Sequence, residues 1–355
     1  MPFQIIRNDI TKVRADVIVN TANPRPVIGS GTDRAIFRAA GEADLLAARR
    51  AIGDIPPGEA KATPAFALDA KHIIHTAGPV WVDGTHQERE ILRACYANAL
   101  SLAAQLKAES IAFPLIATGV YGFPKDEALA IAMAEIGRFL LTHDMTVILV
   151  VFDRTSFALS EQLVGQIDAY IDEHGVGLAR QAEYGGEDNR SRRREELRHH
   201  RRFLRSGSSP AAGAGPVLDS APVPMEASFA VEGKSLDEVL SGAGETFQQR
   251  LFQLIDQSGM DDVAVYKKAN IDRKLFSRIR CKADYKPKKK TAVAFAIALE
   301  LDLPATLDLL SRAELAFSPS SRFDLIVSYF ITNKIYDIYQ INTALFQYGQ
   351  PILGE

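Results

Sequence analysis

Cysteine is nearly missing: the 355-residue chain has two, Cys95 and Cys281, far apart in sequence. That excludes a disulfide-stapled scaffold and, with no Cys/His cluster elsewhere, a structural zinc site, so neither metal nor cofactor is expected. Long apolar runs are missing too, since none approaches the roughly 20 residues that span a bilayer. The N-terminal MPFQIIRND lacks the layout of a signal peptide, and a cytoplasmic protein with two reduced thiols is expected. No charge sign dominates: the net charge is −3, with 24% charged and 47% apolar residues. This balance is that of an ordinary globular protein. Two nucleotide signatures are absent. There is no GxxxxGK[ST], and GSGTDR from Gly29 lacks the third glycine of the dinucleotide fingerprint.

The even net charge conceals one basic run, RSRRREELRHHRRFLR, from Arg190 to Arg205, followed by SGSSPAAGAGPVLDSAPVP. Such a stretch buries too little apolar surface to offset its ordering entropy. Residues 177–234 therefore read as a flexible basic, Pro/Gly/Ser-rich linker between a domain at 1–176 and another at 235–355.

In the first domain short apolar runs alternate with amphipathic helical stretches. Strands are expected at Phe3–Ile6, Val17–Asn20, Lys61–Pro64, Ile73–Ala77, Ile111–Pro114 and Val147–Phe152. Helices are expected at Asp33–Ala40, Gln87–Leu106, Lys125–Leu141 and Ser160–Glu173. VILVVF is apolar on both faces, as when helices cover both sides of a sheet, and an α/β three-layer domain follows.

Ligands of such folds sit outside the carboxyl ends of the strands. Two strand-ending loops carry unusual chemistry: NTANPRPVIGSGTD, from Asn20 to Asp33, and ATGVYGFPKDEA, from Ala117 to Ala128. Their glycines permit close backbone approach, and loops entering helix N-termini present N–H groups to anions. Two such loops in one domain favour a ligand with adjacent phosphates.

RNDITKVRADVIVNTANP, GSGTDRAIFRAAG, PGEAKATPAF, KHIIHTAGPVW and IAFPLIATGVYGFP, in this order, resemble the macrodomain family over residues 1–176. The branch they resemble most includes mono-ADP-ribosyl-protein hydrolases and O-acetyl-ADP-ribose deacetylases. The resemblance implies an α/β/α macrodomain that binds ADP-ribose or ADP-ribosylated protein or nucleic acid, and a hydrolase. It implies that Asp9 accepts from the adenine amino group, with Ile10 beside it. It makes Gly29, Ser30 and Gly31 one pyrophosphate loop and Thr118, Gly119, Val120, Tyr121, Gly122 and Phe123 the other. Phe123 would pack on the distal ribose and Phe152 would line the adenine pocket. Asn23 and Asp33 would be catalytic: Asn23 orients the ribose, and Asp33 positions water or stabilises an oxocarbenium-like state. Asn20 would brace the loop backbone, and a rival role for Asp33 is an N-cap. Three departures stand out. Ser30 interrupts the branch's glycine run, Phe37 stands where hydrolytic relatives carry histidine, and Pro24-Arg25-Pro26 stiffens the loop. The alternative function is a non-catalytic ADP-ribose reader or sensor.

His72 and His75 lie three apart on one strand and point to opposite faces, so they are no metal pair. Cys95 falls in an apolar helix stripe and reads as core.

From Thr246 the pattern is all-α, with six or seven helices. Asp262–Leu310 resembles the λ-repressor-type helix-turn-helix fold, with Val265, Ala269, Ile271, Phe276 and Ile279 as its core. That resemblance makes Arg273, Lys274, Ser277 and Arg278 candidate DNA contacts, and Lys286, Lys288, Lys289 and Lys290 candidate phosphate contacts. A protein partner is the competing role for this domain.

Overall fold

The computed structural model describes residues 2–152, 163–172 and 245–354. The expected linker and the Arg190–Arg205 run lie outside the described residues. Six strands form one sheet: β1 (Phe3–Arg7), β2 (Val17–Thr21), β3 (Ala60–Pro64), β4 (His72–Thr76), β5 (Ser110–Pro114) and β6 (Thr146–Val151). Their order is β1-β6-β5-β2-β4-β3, and every neighbour pair is parallel except β3 with β4. All six fall on the stretches where strands are expected, within a residue or two at their ends.

The strand pleat sends alternate residues to opposite faces. Val147, Leu149 and Val151 join Val17, Val19 and Phe113 in one cluster, under α3 (Glu88–Gln105) and α4 (Lys125–Thr142). Ile148 and Val150 join Ile18 and Ile73 in the other, under α1 (Thr32–Ala40) and α2 (Glu42–Ala51). The three layers follow directly. Helix α2 has no counterpart in the sequence reading, because only Leu45 and Arg49 of it are buried and so its apolar stripe is faint.

Residues 163–172 form a further helix, α5. Then come α6 (Phe247–Ser258), α7 (Asp262–Lys268), α8 (Arg273–Cys281), α9 (Lys289–Ala298), α10 (Leu303–Ser311), α11 (Arg322–Thr332) and α12 (Ile338–Gln347). Ile167 of α5 lies in the core of these later helices, with Phe247, Leu251, Val265, Phe276 and Phe295. The sequence reading had placed that helix in the first domain. Tyr348 donates to Asp168 at 2.7 Å and Tyr329 to Gln166 at 3.0 Å, which ties α5 to α11 and to the residue after α12.

Side-chain caps open six of these last seven helices: Thr246, Asp261, Asp272, Asp302, Ser321 and Asp337. None opens α1, α2, α3 or α4. A side-chain cap occupies N–H groups of the first helical turn that are otherwise left open.

The described residues through 171 and from 246 form one compact unit. Two devices join its α/β and helical parts. Asn270, 1% exposed, takes φ 54 in the turn between α7 and α8. Its Oδ1 accepts from Phe3 N at 2.8 Å, and its Nδ2 donates to Phe3 O at 3.1 Å and Leu353 O at 3.3 Å. The buried Asn342 grips Leu353 again through its N–H and carbonyl, at 2.6 and 3.2 Å. Farther along, Gly137 of α4 leaves a notch for Tyr339: an added Cβ would stand 2.9 Å from its ring. Tyr339 meets Phe3 edge-on at 5.5 Å.

Candidate functional site

At the carboxyl ends of β1, β5 and β6 lies a cavity of about 350 Å³, lined by Asp9, Ile10, Gly31, Thr32, Thr118 and Phe152 among others. Four segments distant in sequence thus converge on one space. Asp9 caps a one-turn 3₁₀ helix, Ile10–Lys12, and its Oδ1 accepts from Thr11 N at 3.0 Å and Thr11 Oγ1 at 2.8 Å. This carboxylate is at once a cap and part of the cavity wall. Ile10 is buried beside it, whereas Phe152, one residue past β6, is 79% exposed at the rim.

The N-terminus of α1 faces this cavity through Gly31, Thr32 and Ala35. Gly31 is its N-cap at φ 58, a left-handed value that glycine takes without strain, and Ser30 keeps a negative φ. An uncapped helix N-terminus with its positive dipole end open is a site for an anion. In the second loop Thr118 Oγ1 donates to Leu115 O at 3.0 Å, while Gly122 N donates to Gly119 O and Phe123 N to Ala117 O. Gly119 has open space where a side chain would stand, and Val120 is 84% exposed at the loop tip. Thr118 is the residue of this loop that lines the cavity.

Behind the first loop lies a buried polar chain. Asp33, 3% exposed, accepts from Gly29 N at 2.5 Å through Oδ2 and from Asn20 Nδ2 at 2.6 Å through Oδ1. Asn20 Nδ2 also lies 3.1 Å from His75 Nδ1, and His75 Nε2 lies 2.9 Å from Thr63 Oγ1. Asn20 and His75 are register partners on β2 and β4, with their side chains on the α1/α2 face. With the amide N–H pointing at it, Nδ1 must be an acceptor, so the proton of the neutral imidazole sits on Nε2 and goes to Thr63. Burial, helped by the Arg49 charge, pulls the His75 pKa down to about 3. Burial likewise pushes the Asp33 pKa up, against the Asn20 and Gly29 hydrogen bonds and the Arg49 charge.

Arg49 on α2, itself 2% exposed, holds the Asn23-Pro24 corner: Nη2 donates to Asn23 O at 3.0 Å and Pro24 O at 3.1 Å, while Nη1 donates to Gly53 O. Asn23 Oδ1 accepts from Arg25 N at 3.1 Å, which folds the loop back on itself.

Several assignments change. The Gly29 N–H is taken by Asp33, so it is not bare for a phosphate. Asp33 is no N-cap: it is the second residue of α1 and reaches back past the cap to Gly29. Asn20 braces the loop through Asp33 instead of bonding its backbone. Phe123 is 2% exposed, with Trp81 packed on it edge-to-face at 4.7 Å, so its ring belongs to the core. Tyr121, two residues earlier, is half-buried, and its phenol pKa is raised by burial and by the Asp33 charge. Phe37 is 1% exposed in the apolar cluster under α1.

Sequence reasoning missed His75, Thr63 and Arg49. Their signal was phase: Asn20 and His75 are polar residues in the inward-facing register of otherwise apolar strands, where burial demands a partner. Among the described residues Asp83, His86 and Glu88 have ligand atoms close enough for a metal ion. Glu88 Oε1, however, already accepts from Val82, Asp83 and Gly84 N, and Asp83 Oδ1 from Thr85, so this cluster is a loop brace. Cys95 is buried, donates to Ala77 O at 3.3 Å and has its pKa raised by burial.

In the helical part Leu275, Phe276 and Ile279 point inward, and Arg273, Lys274, Ser277 and Arg278 are exposed on the opposite side of α8. Lys286 is paired with Glu314 at 2.6 Å and Lys289 with the buried Asp324 at 2.7 Å.

Residues 19–132 match the Macro domain family. A macro domain-containing protein of Methanosarcina mazei is 46% identical over 156 residues, 43% of this chain and 83% of that one. An O-acetyl-ADP-ribose deacetylase of Klebsiella pneumoniae is 45% identical over 166 residues, 45% of this chain and 95% of the relative. The deacetylase of Escherichia coli K12 is 43% identical over 169 residues, 46% and 96% of the two chains. The solved Oceanobacillus iheyensis macrodomain with ADP is 41% identical over 43% of this chain and 84% of its own, with a TM-score of 0.41. With relatives above 40% identity matched over most of their length, the chain belongs to the Macro domain family.

Proposed function

We propose that this protein binds ADP-ribose and hydrolyses a bond at its distal ribose, in O-acetyl-ADP-ribose or in mono-ADP-ribosylated targets. The observation that carries the reading is the convergence of the Asp9 turn, the uncapped α1 N-terminus, Thr118 and Phe152 on one cavity, with Asp33 held behind it. Asp9 would meet the adenine amino group, Gly31 and Thr32 a phosphate, and Phe152 the adenine face. Each Asp33 oxygen has a second lone pair, so the carboxylate can accept from a water while Asn20 and Gly29 hold it. Its raised pKa makes it a better base than a solvated carboxylate. Asn23, with Oδ1 held by Arg25 N, offers Nδ2 to a ribose hydroxyl. The names of the deacetylase relatives support the reaction class. Incubation with O-acetyl-ADP-ribose and a panel of mono-ADP-ribosylated proteins should release ADP-ribose, with turnover lost in Asn23→Ala and Asp33→Ala. A wild-type chain that binds ADP-ribose and leaves every substrate intact would leave the reader alternative standing.

For the helical part, the exposed Arg273, Lys274, Ser277 and Arg278 face favours duplex DNA as partner. A fluorescence-anisotropy titration at low salt tests it, and no binding to any duplex removes it.

A further inference from the structure

The side chains Asp33, Asn20, His75 and Thr63 form one continuous buried polar chain from the start of α1 across β2 and β4 to β3. All four side chains are buried, and each link is a hydrogen bond of 3.1 Å or less. We propose that His75 is a positioning residue for Asp33, acting through the Asn20 amide so that an N–H is always presented to the carboxylate. The inference rests on the hydrolytic reading above and deepens it.

The argument turns on which way the Asn20 amide points. As observed, Nδ2 donates to both Asp33 Oδ1 and His75 Nδ1, and Asn20 Oδ1 is buried with no partner among the described residues. Rotation by half a turn would bring Oδ1 against two acceptors. A protonated Asp33 would tolerate that, since its hydroxyl could donate to Oδ1. His75 in its Nε2-protonated form would not: the rotated amide would require the proton to move to Nδ1 and the Thr63 hydroxyl to turn round and donate to Nε2. Protonation at Nδ1 is resisted by burial and by Arg49, and the pKa of about 3 puts the imidazolium outside neutral conditions. His75 therefore penalises the arrangement in which Asp33 is protonated, and holds the carboxylate ionised and oriented.

Other charged or titratable groups bear on Asp33 from the packed elements: Arg49 from α2, which favours the ionised form, and Tyr121 from the second loop, whose own pKa is raised in part by Asp33. Asp54 acts on Arg49 in turn. None of these touches the Asn20 amide, so a change at His75 reads the relay alone.

The test uses two near-isosteric changes in the full chain. His75→Asn keeps an acceptor near Nδ1, and His75→Gln keeps a group near Nε2 but none facing Asn20. The Asp33 carboxyl is followed by ¹³C NMR titration, assigned by its loss in Asp33→Asn, alongside kcat, KM and their pH profiles. In His75→Gln the Asp33 pKa and the acid limb of kcat should rise. In the same variant kcat should fall roughly tenfold, the worth of one hydrogen bond to a charged group, with KM changed less than about threefold. His75→Asn should restore most of both. Thr63→Val, which frees the Nε2 proton, should move the titration in the same direction and serves if His75→Gln does not fold. An unchanged Asp33 titration in His75→Gln, or kcat and KM moving together in both variants, overturns the proposal. If the wild type turns over no ADP-ribosyl substrate, the functional reading fails while the titration still decides the relay.

Discussion

Asn270→Ala tests how the helical part is held. The alanine loses three hydrogen bonds and leaves the Phe3 N–H buried near an unpaired Phe3 carbonyl. Stranding buried backbone groups costs about 1–3 kcal/mol. Alanine at φ 54 adds roughly 1–2 kcal/mol, since its Cβ crowds the carbonyl where asparagine is tolerated. The expected loss is about 2–5 kcal/mol. Asn270→Gly removes the amide but keeps the left-handed turn, so it should cost about 1 kcal/mol less. The single tryptophan, Trp81, packs on Phe123 in the α/β part, whereas the helical circular dichroism signal draws on both parts. Urea unfolding followed by both probes should give coincident transitions in the wild type and separated ones in Asn270→Ala. An Asn270→Ala chain within about 0.5 kcal/mol of wild type, the range of an ordinary surface change, would refute the claim that this turn joins the two parts.

His75 sets an acid limit. Its folded-state pKa, about 3, lies below the ordinary histidine value of 6.5. Its contribution is therefore present above pH 6.5 and lost as pH falls toward 3, by up to about 5 kcal/mol. Asp33, raised in the folded state, acts with the opposite sign and offsets part of that loss. Urea unfolding at pH 7, 5.5 and 4.5 should show a shallower decline in His75→Gln than in wild type, and equal slopes would contradict the burial argument. Gly137→Ala should destabilise by about 1–2 kcal/mol despite its gain in helix propensity, because the added methyl group meets the Tyr339 ring at 2.9 Å. Combined with Tyr339→Ala, the glycine change should become neutral or stabilising, and a cost that persists would place the strain elsewhere.

The sheet was legible because its central strands, VIVNT and TVILVV above all, are short and apolar on both faces, which leaves few alternatives. Helix α2 was not, since a helix burying one leucine and one arginine shows no stripe. The two glycine-bearing loops at strand ends were legible as loops, but the direction of individual groups in them was not. Phe123 and Tyr121 are two residues apart in a loop with no fixed period, and only packing with Trp81 decides which ring goes inward. The same holds for Gly29, whose N–H is claimed by a carboxylate four residues later. The exposed face of α8 could be read from helical spacing. The pairing of Lys286 and Lys289 with Glu314 and Asp324 could not, because those partners lie 28 and 35 residues away.

Strand β1 is the outermost on its side of the sheet, and an outer strand offers unpaired N–H and C=O groups that other chains can extend. Here the Asn270 carboxamide answers Phe3 as a neighbouring strand would, with an acceptor for its N–H and a donor for its carbonyl. The helical part thus works as a selvedge, closing the end of the weave where an extended peptide would otherwise add itself. Removing it would expose a templating edge, and the sheet alone should be the more prone to self-association.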